Sequence, residues 1–133
     1  MFEEIEYTAD VALRVRAPDL PGLFIASARG MFHLMGADPT APPQTSRRVE
    51  LHGGDTESLL VDWLNELLYL REAHGEQYVA FEIEELSPTR LVAIAHGSPV
   101  PSLPGRRIKA ATFHDLRVER TGEGYGATVV FDV

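Results

Sequence analysis

Asp10, Asp132 and the terminal Val133 are the residues here whose chemistry could hold a charged ligand. Asp10 sits inside the alternating run "YTADVAL", and Asp132 is the last residue but one of "GYGATVVFDV". Aspartate is disfavoured in strand interiors, so Asp10 implies either an open, solvated sheet face or a ligand. Asp132 could likewise be a solvated strand end. If the first and last strands are neighbours, Asp10, Asp132 and the Val133 terminal carboxylate converge. Three such groups repel one another unless a hard cation neutralises them. An all-oxygen donor set suits calcium or magnesium rather than zinc.

The other candidates are weaker. Lys109 and His114 lie five residues apart in "IKAATFHDL" and point to opposite faces of a regular strand. Lys109 shares a face with Ala111, Phe113 and Asp115. His114 aligns with Ile108, Ala110 and Leu116, as a half-buried strand histidine would. The basic stretch "RRIK" is either a solvated strand start or a contact for a phosphate or an acidic partner. The five histidines show no metal-ligand spacing. No GxSxG, Walker-type, HExxH or GxGxxG pattern occurs, and "GEGYG" reads as a hairpin turn. With no cysteine, disulfides, thiolate metal sites and thiol catalysis are ruled out.

The net charge of −8, from 12 basic and 20 acidic residues, repels phosphate backbones, so independent nucleic-acid binding is not expected. An acidic surface suits a cation or a basic partner, and also plain solubility. No apolar run approaches the roughly 20 residues of a membrane span, and "MFEEIEY" lacks the basic flank of a secretory signal. A cytoplasmic protein without a membrane segment is the expectation.

The elements that must position these residues follow from periodicity. A first strand is predicted over residues 3 to 16. Asp19 can cap a helix whose Leu20, Leu23, Phe24, Ala28, Met31 and Met35 recur at helical spacing before Gly36. A proline-rich loop leads to a strand at Arg47 to His52. Asp55 can cap a second helix running to His74, with Leu59, Leu60, Trp63, Leu64, Leu67, Leu68 and Leu70 as its apolar stripe and Gly75 as its stop. Asp62, Asn65 and Glu66 fall on its wet side. Two hairpins follow: "QYVAFEIEEL" with "RLVAIAH" around Ser87-Pro88-Thr89, and "RRIKAATFHDLRVER" with the last strand around "TGEG". The order β-α-β-α-β-β-β-β predicts one α+β domain over residues 1–133. It is a two-layer α/β sandwich with both helices on one face of a mainly antiparallel sheet.

Four blocks in this order resemble the archease family. "YTADVALRV" resembles its HTAD strand, with Tyr7 in place of the histidine. "ESLLVDWLNELLYL" resembles its WLNELL helix, "IKAATFHDLRV" its K-A-x-T-[YF]-H strand, and "ATVVFDV" its C-terminal strand ending in Asp plus an aliphatic residue. After Gly97 the family often has glutamate, where this chain has Ser98. The resemblance implies a protein cofactor, not a free-standing enzyme. Such a cofactor assists the RNA ligase that joins 3′-phosphate or 2′,3′-cyclic-phosphate RNA ends to 5′-hydroxyl ends in tRNA splicing. It promotes GTP-dependent guanylylation of the ligase's histidine. The resemblance further implies a divalent-cation site at Asp10, Asp132 and Val133, and a functional lysine at Lys109. The competing readings are a small divalent-metal-dependent enzyme acting on a nucleotide or phosphorylated substrate, with His114 as general base, and a chaperone-like interaction module.

Overall fold

The computed structural model describes residues 1–7, 10–100 and 106–133, with the side chains of Glu6 and Tyr7 outside the description. The strand expected over residues 3 to 16 is two strands. β1 (Phe2–Tyr7) and β2 (Asp10–Ala17) form an antiparallel hairpin in which Glu4 faces Leu13 and Tyr7 faces Asp10. Thr8 and Ala9, which lie between them, fall outside the described residues. Neither is a glycine, proline, asparagine or aspartate, so no turn chemistry in the sequence marks the reversal.

α1 (Leu20–Leu34) begins where the Asp19 carboxylate accepts the Gly22 N–H at 2.7 Å, with Pro21 in the first turn, where it costs no hydrogen bond. β3 (Thr45–His52) precedes α2 (Thr56–His74), which is capped by the Asp55 carboxylate on the Ser58 N–H at 2.7 Å. Gly75 closes α2 at φ 63°, a left-handed conformation that favours glycine. β4 (Glu76–Ser87) and β5 (Arg90–Pro99) make the expected hairpin. β6 (Ala110–Ala111), β7 (Glu119–Thr121) and β8 (Gly124–Asp132) complete the chain. The long strand expected from Arg106 onward is therefore only β6 and β7. Between them the chain turns, with Asp115 at φ 52° and the Leu116 N–H donating to the Phe113 carbonyl at 3.0 Å.

All strand pairings are antiparallel, in two sheets of order β1-β2-β8-β6, with β7 also on β8, and β3-β5-β4. α1 packs on β2, β4 and β8, and α2 on α1, β3, β4 and β6, giving an α+β fold of two helices against antiparallel sheets. Trp63, Phe24, Phe32, Phe131, Leu13, Leu59 and Leu64 are fully buried at their meeting. Burial of each such side chain contributes about 1.5–3 kcal/mol. The sole tryptophan also ties the helices together, its indole N–H donating to the Phe24 carbonyl at 3.0 Å. No described helix is long and apolar enough to cross a membrane.

Candidate functional site

β2 and β8 lie side by side, with Val11 paired to Phe131 and Ala12 to Val130. One step beyond that register brings Asp10 level with Asp132, where opposed Cα atoms stand roughly 5 Å apart. Asp10 is half-buried, and Asp132 and Val133 are exposed. β6 lies on the other side of β8, Ala110 pairing with Asp132. The Lys109 N–H donates to the Asp132 carbonyl at 2.8 Å, and the Lys109 side chain is exposed. Asp10, Asp132, Val133 and Lys109, the chain's only lysine, thus gather at one end of the first sheet.

Like charges directly across an antiparallel pair are destabilising, so the Asp10–Asp132 juxtaposition favours a cation. Among the described residues no three His, Asp or Glu side chains cluster as a metal cage. A cation held here would therefore take oxygens from the two carboxylates and from the main chain at Val133, a donor set that fits calcium or magnesium.

Asn65 anchors this end, and the sequence pattern misassigned it to the solvated side of α2. It is half-buried, its Oδ1 accepting the Ala111 N–H at 2.8 Å and its Nδ2 donating to the Ala111 carbonyl at 3.2 Å. Both polar groups of one β6 residue are thereby held from the helix. Thr112 fastens the next residue, its N–H and hydroxyl donating to the Val130 carbonyl at 3.0 and 2.9 Å. The available sequence signal was an asparagine, a poor helix former, set beside an otherwise leucine-rich stripe.

Two other expectations change. His114 is not a half-buried strand histidine. It is exposed in the turn after β6, its Nε2 3.3 Å from the Asp115 carboxylate. β5 also runs past the strand end expected at His96, through Ser98, which it buries opposite Gln77. Tyr7's side chain falls outside the description.

The second sheet holds two polar networks that alternation alone does not reveal. Ser46 Oγ lies 2.8 Å from His96 Nδ1, and His96 Nε2 lies 2.9 Å from a Glu82 carboxylate oxygen. The connectivity is that of a serine–histidine–acid relay, but the Glu82 side chain is 63% exposed on an open sheet surface. A nucleophile needs a pocket and donors for the developing oxyanion, so this row is a cross-strand polar ladder. At the start of β4, Glu76 is buried and accepts from Arg47 Nε at 3.0 Å, Arg47 Nη2 at 2.9 Å and the Tyr78 hydroxyl at 2.7 Å. The Arg47 bonds foremost hold its carboxyl down at about 2 despite burial.

The sequence profile of the Archease protein family matches residues 2–133. Protein archease of Methanopyrus kandleri is 34% identical over 140 residues, covering 99% of both chains. That of Methanosarcina acetivorans is also 34% identical, covering 99% of this chain and 95% of its own. The solution structure of Methanobacterium thermoautotrophicum protein 1598 superposes with a TM-score of 0.77 at 28% identity, covering 99% of this chain and 98% of its own. A Thermotoga maritima crystal structure, described as an archease and possible chaperone, gives 0.66 at 25% identity, with 100% and 98% coverage.

Proposed function

The chain belongs to the archease family, and from that premise we propose that it is a metal-binding protein cofactor. In this reading it activates an RNA ligase of the 3′-phosphate/5′-hydroxyl type, promoting guanylylation from GTP and multiple turnover in the cytoplasm. The observation that carries the reading is the register that sets Asp10 level with Asp132, with Lys109 bonded to the same strand end.

Guanylylation needs a ligase histidine placed in line with a GTP phosphorus, with negative charge offset around it, so positioning and charge neutralisation dominate. A bound divalent cation supplies positive charge to phosphate oxygens. The chain's part is to present that charge on a rigid sheet end. Asp10 and Asp132 bind it from neighbouring strands, and main-chain oxygen of Val133 completes the set. Lys109 offers a separate ammonium to a phosphate or to a ligase carboxylate. Asn65 keeps β6, and with it Lys109, against β8.

The test mixes the protein with the RNA ligase of its own host, GTP and RNA ends, and follows ligase guanylylation over many turnovers. Wild type is expected to stimulate turnover, and Asp10→Ala or Asp132→Ala to abolish most of that stimulation. Calorimetric titration with calcium and magnesium should show both variants losing cation affinity while keeping the wild-type melting temperature within a few degrees. Undiminished stimulation by both variants would overturn the proposal.

A further inference from the structure

The face of the first sheet that carries Asp10 has a second feature at its far end. Asp10, Ala12, Arg14 and Arg16 alternate onto one face of β2. Ala12 and Val130, paired with each other, are buried in the middle of that face. Beyond them opens a cleft of about 270 Å³, roughly 13 to 20 Å along β2 from Asp10 at ~3.3 Å per residue. Gly126 and Thr128 of β8 form its floor, Arg14 and Arg16 one wall, and Glu119 with Thr121 of β7 the opposite wall. Arg117 and Asp115 also line it.

The register puts Glu119, Gly126 and Arg16 in one row across three strands. Gly126 has no positive φ to require glycine. A Cβ there would meet the Val15 carbonyl at 3.5 Å and Thr121 Cγ2 at 3.6 Å, ordinary contacts. Neither backbone nor packing demands the missing side chain, and its absence keeps the middle of the row open.

The cleft is lined by charges of both signs, Arg14, Arg16 and Arg117 against Asp115 and Glu119. In a chain of net charge −8, Arg47, Arg48, Arg90 and Arg106 each meet a carboxylate. Arg14 is held by Glu3 at 2.9 Å. Arg16 and Arg117, like Arg29, Arg107 and Arg120 elsewhere, have no ion pair among the described residues. Two guanidiniums outside any salt bridge, beside the Thr121 and Thr128 side chains, are donors matched to phosphate oxygens. The Glu119 carboxylate opposite is an acceptor, suited to a hydroxyl of the same ligand. With Asp115 it repels a long polyanion threading the cleft. The volume accommodates one phosphate and one sugar.

We propose that this cleft binds a sugar phosphate of the nucleotide class, with its phosphate between Arg16 and Arg117 and a sugar hydroxyl donating to Glu119. It is a site separate from the cation site and needs no metal. The chain's overall negative charge argued against binding a polymer backbone; the local arrangement selects a compact phosphate ester.

Binding is measured by calorimetry in chelator, which removes any contribution from the Asp10–Asp132 end. The probes are adenosine 5′-monophosphate, adenosine and inorganic phosphate. The monophosphate is expected to bind saturably and at least about tenfold more tightly than either fragment. Arg16→Ala/Arg117→Ala and Gly126→Val, which fills the floor, should each weaken it by about tenfold or more. Arg48→Ala, on the other sheet, should leave it unchanged. The Trp63 fluorescence melt checks that each variant is folded, and Gly126→Val keeps the test valid if the double variant is not. Absence of saturable monophosphate binding, equal binding of phosphate alone, or full affinity in a folded Gly126→Val variant would overturn the proposal. None of these outcomes bears on the cation site, which the ligase assay tests with metal present.

Discussion

Replacing Glu76 by glutamine should remove a measurable share of the acid sensitivity of this fold. Its side chain is 5% exposed and accepts two hydrogen bonds from Arg47, one from Tyr78 and one from Thr45 at 3.2 Å. These donors, Arg47 first, outweigh burial and hold the carboxyl at about 2 against an ordinary 4.5. The charged form is thus favoured in the folded state by about 3 kcal/mol. Because the folded value is the lower one, this stability is fully present above pH 4.5 and is lost as pH falls from there toward 2. A Glu76→Gln amide has the same size but turns donors toward the Arg47 guanidinium, so the variant should lose about 3 kcal/mol or more at pH 7. Against a total of about 5–15 kcal/mol for a domain, that is readily measured. Urea unfolding followed by Trp63 fluorescence gives the free energy at each pH. The gap between wild type and variant should close by about 3 kcal/mol from pH 5 to pH 2. Parallel acid limbs for the two proteins would refute the reasoning, since the carboxylate would then not be the group taking up the proton.

Gly97→Ala would place a Cβ 2.0 Å from the Gln77 carbonyl oxygen and 2.6 Å from Tyr78 Cδ1. That clash is relieved only by moving β4 away from β5, so the melting temperature should fall by about 10 °C or more, as about 3 kcal/mol implies; an unchanged melt would mean the strands yield freely. Asn65→Ala leaves the Ala111 N–H and carbonyl without their helix partners and should cost about 2 kcal/mol. Amide hydrogen exchange at Lys109 and Ala111 should accelerate, and unaltered exchange there would show that β6 does not depend on Asn65.

Both helices were legible because their signals are local. A 3.6-residue apolar period, Asp19 and Asp55 at the starts, and Gly36 and Gly75 after the ends each act within one or two turns of chain. The turns at Ser87–Arg90 and Thr121–Gly124 carry their own turn residues for the same reason. The reversal between Tyr7 and Asp10 does not, so two strands read as one. The segment after Arg106 alternates like a strand, but only Ala110 and Ala111 find partners beside Asp132 and Phe131 before the chain turns at Asp115. The candidate site divides along the same line. That Asp10 and Asp132 were out of place in strands could be read from residue type and alternation alone. Alternation assigns a side chain to a face but never to a neighbour. Only the pairing of β2 with β8, strands more than a hundred residues apart, decided that these two carboxylates stand level, and that Arg16 faces Glu119 across a bare glycine.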